Sequence, residues 1–130
     1  MAALESFRVQ RIQFEAPGGS AQAQQTPCEV RAHVRPVGGD RASVLLVARF
    51  FEGNPKPPFR LEVAVEGLFQ LDHGESAEAL ARGTGPATLY PYLRDEVGHL
   101  TLRGGLPPLL LPPLRLASTA VDVKAKEQAN

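Results

Sequence analysis

The chain has 130 residues, 43% hydrophobic and 22% charged, a balance that supports a packed core and excludes a disordered chain. Its 14 basic residues match 14 acidic ones, and no block of about five like charges occurs, so nucleic acid and anionic membranes are not expected as main partners. One cysteine, Cys28, excludes an internal disulfide and suits a reducing compartment.

The opening MAALESFRVQ has no basic segment followed by an apolar one, and no run reaches the roughly 18 apolar residues of a membrane span. A cytoplasmic protein without direct membrane insertion is expected. The whole of 1–130 reads as one domain, with 1–6 and about 124–130 as flexible ends.

FRVQRIQF (7–14) places Phe7 and Val9, then Ile12 and Phe14, in a two-residue period that slips once. A strand bulged near Gln10–Arg11 brings all four to one face. EAPGGSAQAQQTP (15–27) is a loop by composition. CEVRAHVRPV (28–37) alternates cleanly: Cys28, Val30, Ala32 and Val34 point one way, and Glu29, Arg31, His33 and Arg35 the other.

After the turn at 38–40, ASVLLVARFFE (42–52) is apolar on both faces, and EGNPKPP (52–58) is a longer proline-rich loop. FRLEVAVEGLFQL (59–71) alternates again, with Phe59, Leu61, Val63, Val65, Phe69 and Leu71 inward and Arg60, Glu62 and Glu66 outward. Four strands in series suggest a meander-like antiparallel sheet.

GESAEALARG (74–83) is helix-prone. In residues 88–105 Thr88 can cap a longer helix, Pro91 falls in its first turn, and Leu89, Leu93, Val97 and Leu100 recur at helical spacing. Gly104 or Gly105 is its stop. GLPPLLLPPLRL (105–116) follows, with six leucines among four prolines. Proline forbids a helix or a paired central strand there, while leucine at that density marks contact. The ribbon is either a stiff crossover packed on its own sheet or the wall of a binding groove, and the two are compatible. LASTAVDVKAKEQAN (116–130) reads as a short helix that frays. Strands followed by helices give an α+β fold with a four-stranded antiparallel sheet, a long helix, a Leu/Pro crossover and a short C-terminal helix.

Chemistry-bearing motifs are missing. His33, His73 and His99 lack ligand spacing with Cys28, so no metal is expected. Cys28 opens a strand on its apolar face, as a packed thiol does. GESAE (74–78) ends in Glu78 where a nucleophile elbow needs glycine, and no phosphate-cradling GxxxxGK[ST] occurs. Asp95 and Glu96 diverge by about 100° on a helix and make no dyad. No enzyme and no cofactor are expected.

FRVQRI (7–12), QFEAP (13–17), FRLEVAVEGLF (59–69), LYPYLRDEV (89–97) and RGGLPPLLLPPL (103–114) stand in the order of motifs of the SecB protein-export chaperones. The chain resembles that family over about 7–116, most specifically in its last two blocks. The resemblance implies a homotetramer, a dimer of dimers, with Leu61, Val63, Val65 and Tyr92 at or beneath its interfaces. It implies a holdase that keeps unfolded precursors translocation-competent, gripping them in grooves lined by Val30, Ala32, Val34, Leu106, Leu109, Leu111, Leu114 and Val121. It implies docking of the SecA motor on an acidic outer sheet face, where Glu15 and Glu62 keep carboxylates.

Two departures stand out. Arg11 and Arg60 replace residues that are typically acidic and apolar, and the last segment offers Ala120, Val121 and Val123 where the family carries bulkier groups. Such departures suit a SecB-like protector of a single aggregation-prone partner, such as an antitoxin. A non-chaperone adaptor using the sheet face is the third reading.

Overall fold

The computed structural model describes residues 3–15, 28–51, 59–105, 111 and 120–123. Five strands and two helices are placed: β1 (Ala3–Glu15), β2 (Cys28–Gly38), β3 (Arg41–Phe50), β4 (Arg60–Gln70), α1 (Ala77–Arg82), α2 (Thr84–Arg103) and β5 (Ala120–Val123). They form one sheet in the order β1-β4-β3-β2-β5.

β2, β3 and β4 are an antiparallel meander, but β1 pairs with β4 at the far side. The arrangement is therefore a Greek key rather than a simple meander. Residues 16–27 are too many for a hairpin between β1 and β2, so nothing local forces those two to be neighbours. β1 begins at Ala3, which takes residues 3–6 into the sheet instead of leaving them as a loose lead.

The slip in the β1 pattern is a real irregularity. The register shifts between Val9 and Arg11, and again between Leu4 and Ser6. Across it, Phe7, Val9, Ile12 and Phe14 stand opposite Gly67, Val65, Val63 and Leu61, all on the sheet face that the helices cover. Without the bulge, the two halves of β1 would present their apolar residues to opposite faces.

The core fills the space between that face and the helices. Leu46, Val63, Val65 and Phe69 from the sheet, with Leu80, Leu89, Leu93 and Val97 from the helices, are all 0% exposed. Each such side chain contributes about 1.5–3 kcal/mol by leaving water. α1 lies on β2, and α2 lies on β3 and β4. Close approach is allowed by Gly67, where an added Cβ would sit 2.8 Å from Leu89 Cδ2.

Ser76 caps α1, its hydroxyl accepting a hydrogen bond from the Ala79 N–H at 3.1 Å. α2 then starts at Thr84, four residues before the expected Thr88 cap. Pro86 takes the first-turn place expected of Pro91, where a missing donor costs nothing, and Pro91 lies inside the helix. α2 ends as expected at Gly104, followed by Gly105 at φ +80°, a left-handed conformation that glycine adopts without strain.

The C-terminal helix is overturned at residues 120–123. They form β5, parallel to β2, with Ala120, Val121, Asp122 and Val123 in register with Arg31, Ala32, His33 and Val34. Ala-Val-Asp-Val has two β-branched residues in alternation and an open sheet edge to join, and that edge outweighs weak helical propensity.

Candidate polypeptide-binding site

α2 divides the apolar surface into two flanks. Positions 90 and 92 differ by about 200° around a helix, so Tyr90 and Tyr92 leave it on different sides. Tyr92 turns towards β1, where its ring stacks on Phe7 with centroids 4.0 Å apart and planes inclined at 25°. The two rings are still 40% and 42% exposed, and Val9 (37%) and Ile12 (48%) extend the patch along β1. β1 is also an edge strand, with one side paired to β4 and no strand on the other among the described residues. An apolar face joined to an open edge is an invitation to another chain.

The second flank holds a concavity of about 430 Å³ lined by Tyr90, Pro91, Arg94, Asp95, Gly98 and His99, and closed by Leu102. Leu102 is 57% exposed, an apolar side chain with nothing over it among the described residues. Tyr90 is a buried member of the core at 7% exposure, and its phenol is held above the ordinary value, first by burial and then by the neighbouring Cys28. That neighbour places the concavity on the side of α2 facing the start of β2. The spacing 90, 94, 98, 102 is one line down the helix, at four-residue steps.

An aromatic cluster closes the end of the sheet. Phe59 meets Phe51 edge-on at 5.1 Å, Phe50 at 6.1 Å and Phe14 at 6.2 Å. Phe51 holds φ +58°, a conformation rare for a bulky residue. Phe14 also covers Gly104, so sheet and helix end are locked together.

The expected groove residues are distributed differently. Ala32 and Val34 are 0% exposed and Leu111 is 3% exposed, so all three belong to the chain's own core, and Val30 is half-buried against it. α1 covers the β2 face that the alternation correctly identified as apolar. Leu111 therefore answers to the crossover reading of the ribbon. Leu106, Leu109 and Leu114 lie outside the described residues, and Val121 is placed on β5 by its backbone. Of the interface residues, Leu61, Val63 and Val65 are 2%, 0% and 0% exposed. They face α2 within one chain and leave no surface for a second copy, whereas Tyr92 does.

The outer sheet face carries charged side chains around a buried apolar pair, Val47 and Ala64. Glu62 is gripped by two arginines, accepting from Arg11 Nη1 and from Arg49 Nε, each at 2.7 Å. Burial alone would raise its pKa, but the two hydrogen bonds and charges outweigh it and hold the carboxyl below the usual value. Glu66 is bound similarly by Arg8 at 3.0 Å and by the Ser43 hydroxyl at 3.1 Å. Glu15 is opposite Arg60 in the register. Of the two carboxylates expected to dock a motor, Glu62 thus has its charge already neutralised by arginines.

Cys28 is exposed rather than packed as the alternation suggested, while partial burial of its thiol, and then the charge of Glu29, push it up to about 12. No group of three metal-binding side chains occurs among the described residues. No described helix is long and apolar enough to cross a membrane.

A Greek-key sheet carrying one long helix, with unsatisfied apolar surface on both flanks of that helix, defines a protein that binds other polypeptides. Residues 3–122 match the family described as preprotein translocase subunit SecB, and the chain belongs to the SecB family. It is similar to a protein-export protein SecB of Hydrogenovibrio crunogenus, 31% identical over 134 residues, covering 96% of this chain and 89% of the relative. A protein-export protein SecB of Halorhodospira halophila is 28% identical, covering 90% of this chain and 72% of the relative. Among solved structures, a Mycobacterium tuberculosis SecB-like chaperone in complex with a ChAD peptide from an antitoxin superposes with a TM-score of 0.68. That relative is 26% identical, and the match covers 88% of each chain.

Proposed function

We propose that this chain is a holdase of the cytoplasm that binds unfolded polypeptides without catalysis, nucleotide or cofactor. The observation that carries the reading is the concavity beside Tyr90 and Leu102, an apolar recess on an otherwise charged helix surface. A client leucine or aromatic entering it gains about 25 cal/mol per Å² of apolar surface buried, whatever its neighbours in sequence. Selectivity for the unfolded state follows, because folded proteins keep such side chains inside.

Phe7, Val9, Ile12 and Tyr92 make the contact between copies, through the β1 edge and the adjoining flank of α2. A dimer of dimers multiplies the recesses available to one extended client, which raises avidity without new contacts. Binding the unfolded state slows refolding by mass action.

A role in keeping precursors ready for export is supported by the relatives' names. Protection of a dedicated partner is the second reading, favoured by Glu62: a carboxylate clamped by Arg11 and Arg49 offers little to a cationic motor tail.

The test is aggregation and refolding of a reduced, denatured model client with and without the chain. Stoichiometric delay of refolding, with no affinity for the native client, is expected. Equal binding to native and unfolded client, or no delay, overturns the reading. Titration with the zinc-bearing SecA tail at low salt then separates the two roles, since absence of binding removes export.

A further inference from the structure

Seven arginines project from one face of the sheet. Arg8 and Arg11 come from β1, Arg60 from β4, Arg41 and Arg49 from β3, and Arg31 and Arg35 from β2. All have the register parity that faces away from the helices. The acidic side chains described on or beside this face are Glu29, Glu62, Glu66 and the bulge residue Glu5.

Depth separates the two signs. The side chains of Glu62 and Glu66 are only 18% and 19% exposed, whereas those of their partners Arg8 and Arg11 are 71% and 57% exposed. Arg41 is 52% exposed over Glu5 at 32%. Glu29 at 44% beside Arg31 at 41% is the exception, and Arg49 is only 28% exposed. At Arg8, Arg11 and Arg41 guanidinium groups form the surface that a partner meets, over a floor of Glu66, Glu62 and Glu5. Two concavities open there: one of about 320 Å³ holds Arg8 and Arg35, and another of about 220 Å³ holds Arg49 and Arg60.

We infer that this outer face docks an acidic segment of a partner protein, independently of the recess on α2. Guanidinium is a planar fork that matches a carboxylate with two parallel hydrogen bonds, and the floor of glutamates holds the forks in place. Strands spaced about 4.8 Å apart and about ten residues long give a face on the order of 20 by 30 Å. That area is below one side of a standard interface, about 800 Å², so the contact is fast, weak and salt-sensitive. A phosphate backbone fits less well. Its continuous charge asks for an unbroken basic stripe, but the exposed Glu29 interrupts this face on β2, and the chain as a whole carries no net charge.

The experiment is fluorescence anisotropy with a labelled oligo-glutamate peptide of about ten residues in about 50 mM salt, where exposed charges are weakly screened. Saturable binding is expected, weakening about tenfold at roughly 300 mM salt and about tenfold in Arg35→Gln/Arg60→Gln. That variant keeps the bonds of Glu62 to Arg11 and Arg49 and of Glu66 to Arg8. A thermal melt confirms folding, and Arg60→Glu alone gives an independent loss. No saturable binding at low salt, equal binding by the variants, or tighter binding of oligo-lysine or single-stranded DNA of matched length overturns the inference. Client refolding delay is measured in parallel. Its persistence in Arg35→Gln/Arg60→Gln separates this face from the holdase recess.

Discussion

Val9→Asp with Ile12→Asp removes the apolar edge of β1 with little disturbance to the chain that carries it. Both side chains are already partly in water, at 37% and 48% exposure, and neither takes part in the Phe7–Tyr92 stack. Full burial of such residues contributes about 1.5–3 kcal/mol each, so covering their exposed portions, together with those of Phe7 and Tyr92, gives about 1 kcal/mol per residue. A symmetric contact uses each residue twice, which brings the apolar term to about 8 kcal/mol before the cost of association. Association itself costs at least about 4 kcal/mol, which leaves a margin of at most about 4 kcal/mol. Two carboxylates per copy, facing each other across that seam, remove most of this margin. Size-exclusion chromatography with light scattering at micromolar concentration is expected to show the oligomer falling to a single chain, with circular dichroism unchanged. A variant that keeps the native mass while remaining folded would refute the assignment of β1 and Tyr92 to the interface.

Leu102→Asp is expected to weaken binding of an unfolded client about tenfold at unchanged Tm, because an exposed side chain contributes binding area and little stability; unchanged affinity in a titration with labelled denatured client removes the recess from the site. Glu62 has a folded-state pKa below its unfolded value, so its stabilisation is present above the unfolded value and is lost as pH falls through the folded one. Glu62→Gln is therefore expected to destabilise at pH 7 and to approach the parent in acid, with urea unfolding as the measure; a pH-independent difference contradicts the clamp. Gly104→Val places a Cβ in the ring of Phe14, and overpacking of this kind costs about 1–3 kcal/mol. Phe14→Ala in the same chain should recover part of the loss in a thermal melt, and additive losses would show that the two do not touch.

The elements most legible in the sequence are those whose pattern has one physical solution. In β1 a two-residue period that slips once has to bulge if four apolar residues are to share a face, and the register shifts at that point. β4 alternates without interruption, and every residue expected inward from Leu61 to Phe69 is buried. Strand order was not legible, because alternation fixes which face a residue takes and says nothing about which neighbour its strand finds. The start of α2 was misplaced because Thr88 resembles a cap, while Pro86, also compatible with a first turn, lies upstream of it. Ala32 and Val34 illustrate the larger difficulty. Their apolar phase on β2 was correct, but α1 occupies the face they form, so an apolar face became core instead of groove. Leu102 went unnoticed for the opposite reason, being an isolated leucine off the core stripe of α2, while Tyr90 stood within LYPYLRDEV as a motif residue and not as the wall of a recess.

The molecule separates its contacts by chemistry, and the separation starts from how strand and helix periods meet. The two-residue period gives the sheet one apolar face and one on which charged side chains surround a short apolar strip. α1 and α2 cover β2, β3 and β4 on the apolar face and meet β1 only at Phe7 and Phe14, leaving much of it exposed as an overhang. That overhang creates the edge patch at Phe7, Val9 and Ile12. The 3.6-residue period then gives α2 two flanks, one contributing Tyr92 to the overhang and the other opening the recess beside Tyr90. A client in the recess, a second copy on the overhang and an acidic partner on the arginine face use different residues, except that Phe7 of the overhang also lines the concavity holding Arg8 and Arg35. Occupancy of each can be abolished by substitutions that leave the other two intact, and that independence is the property by which the whole arrangement stands or falls.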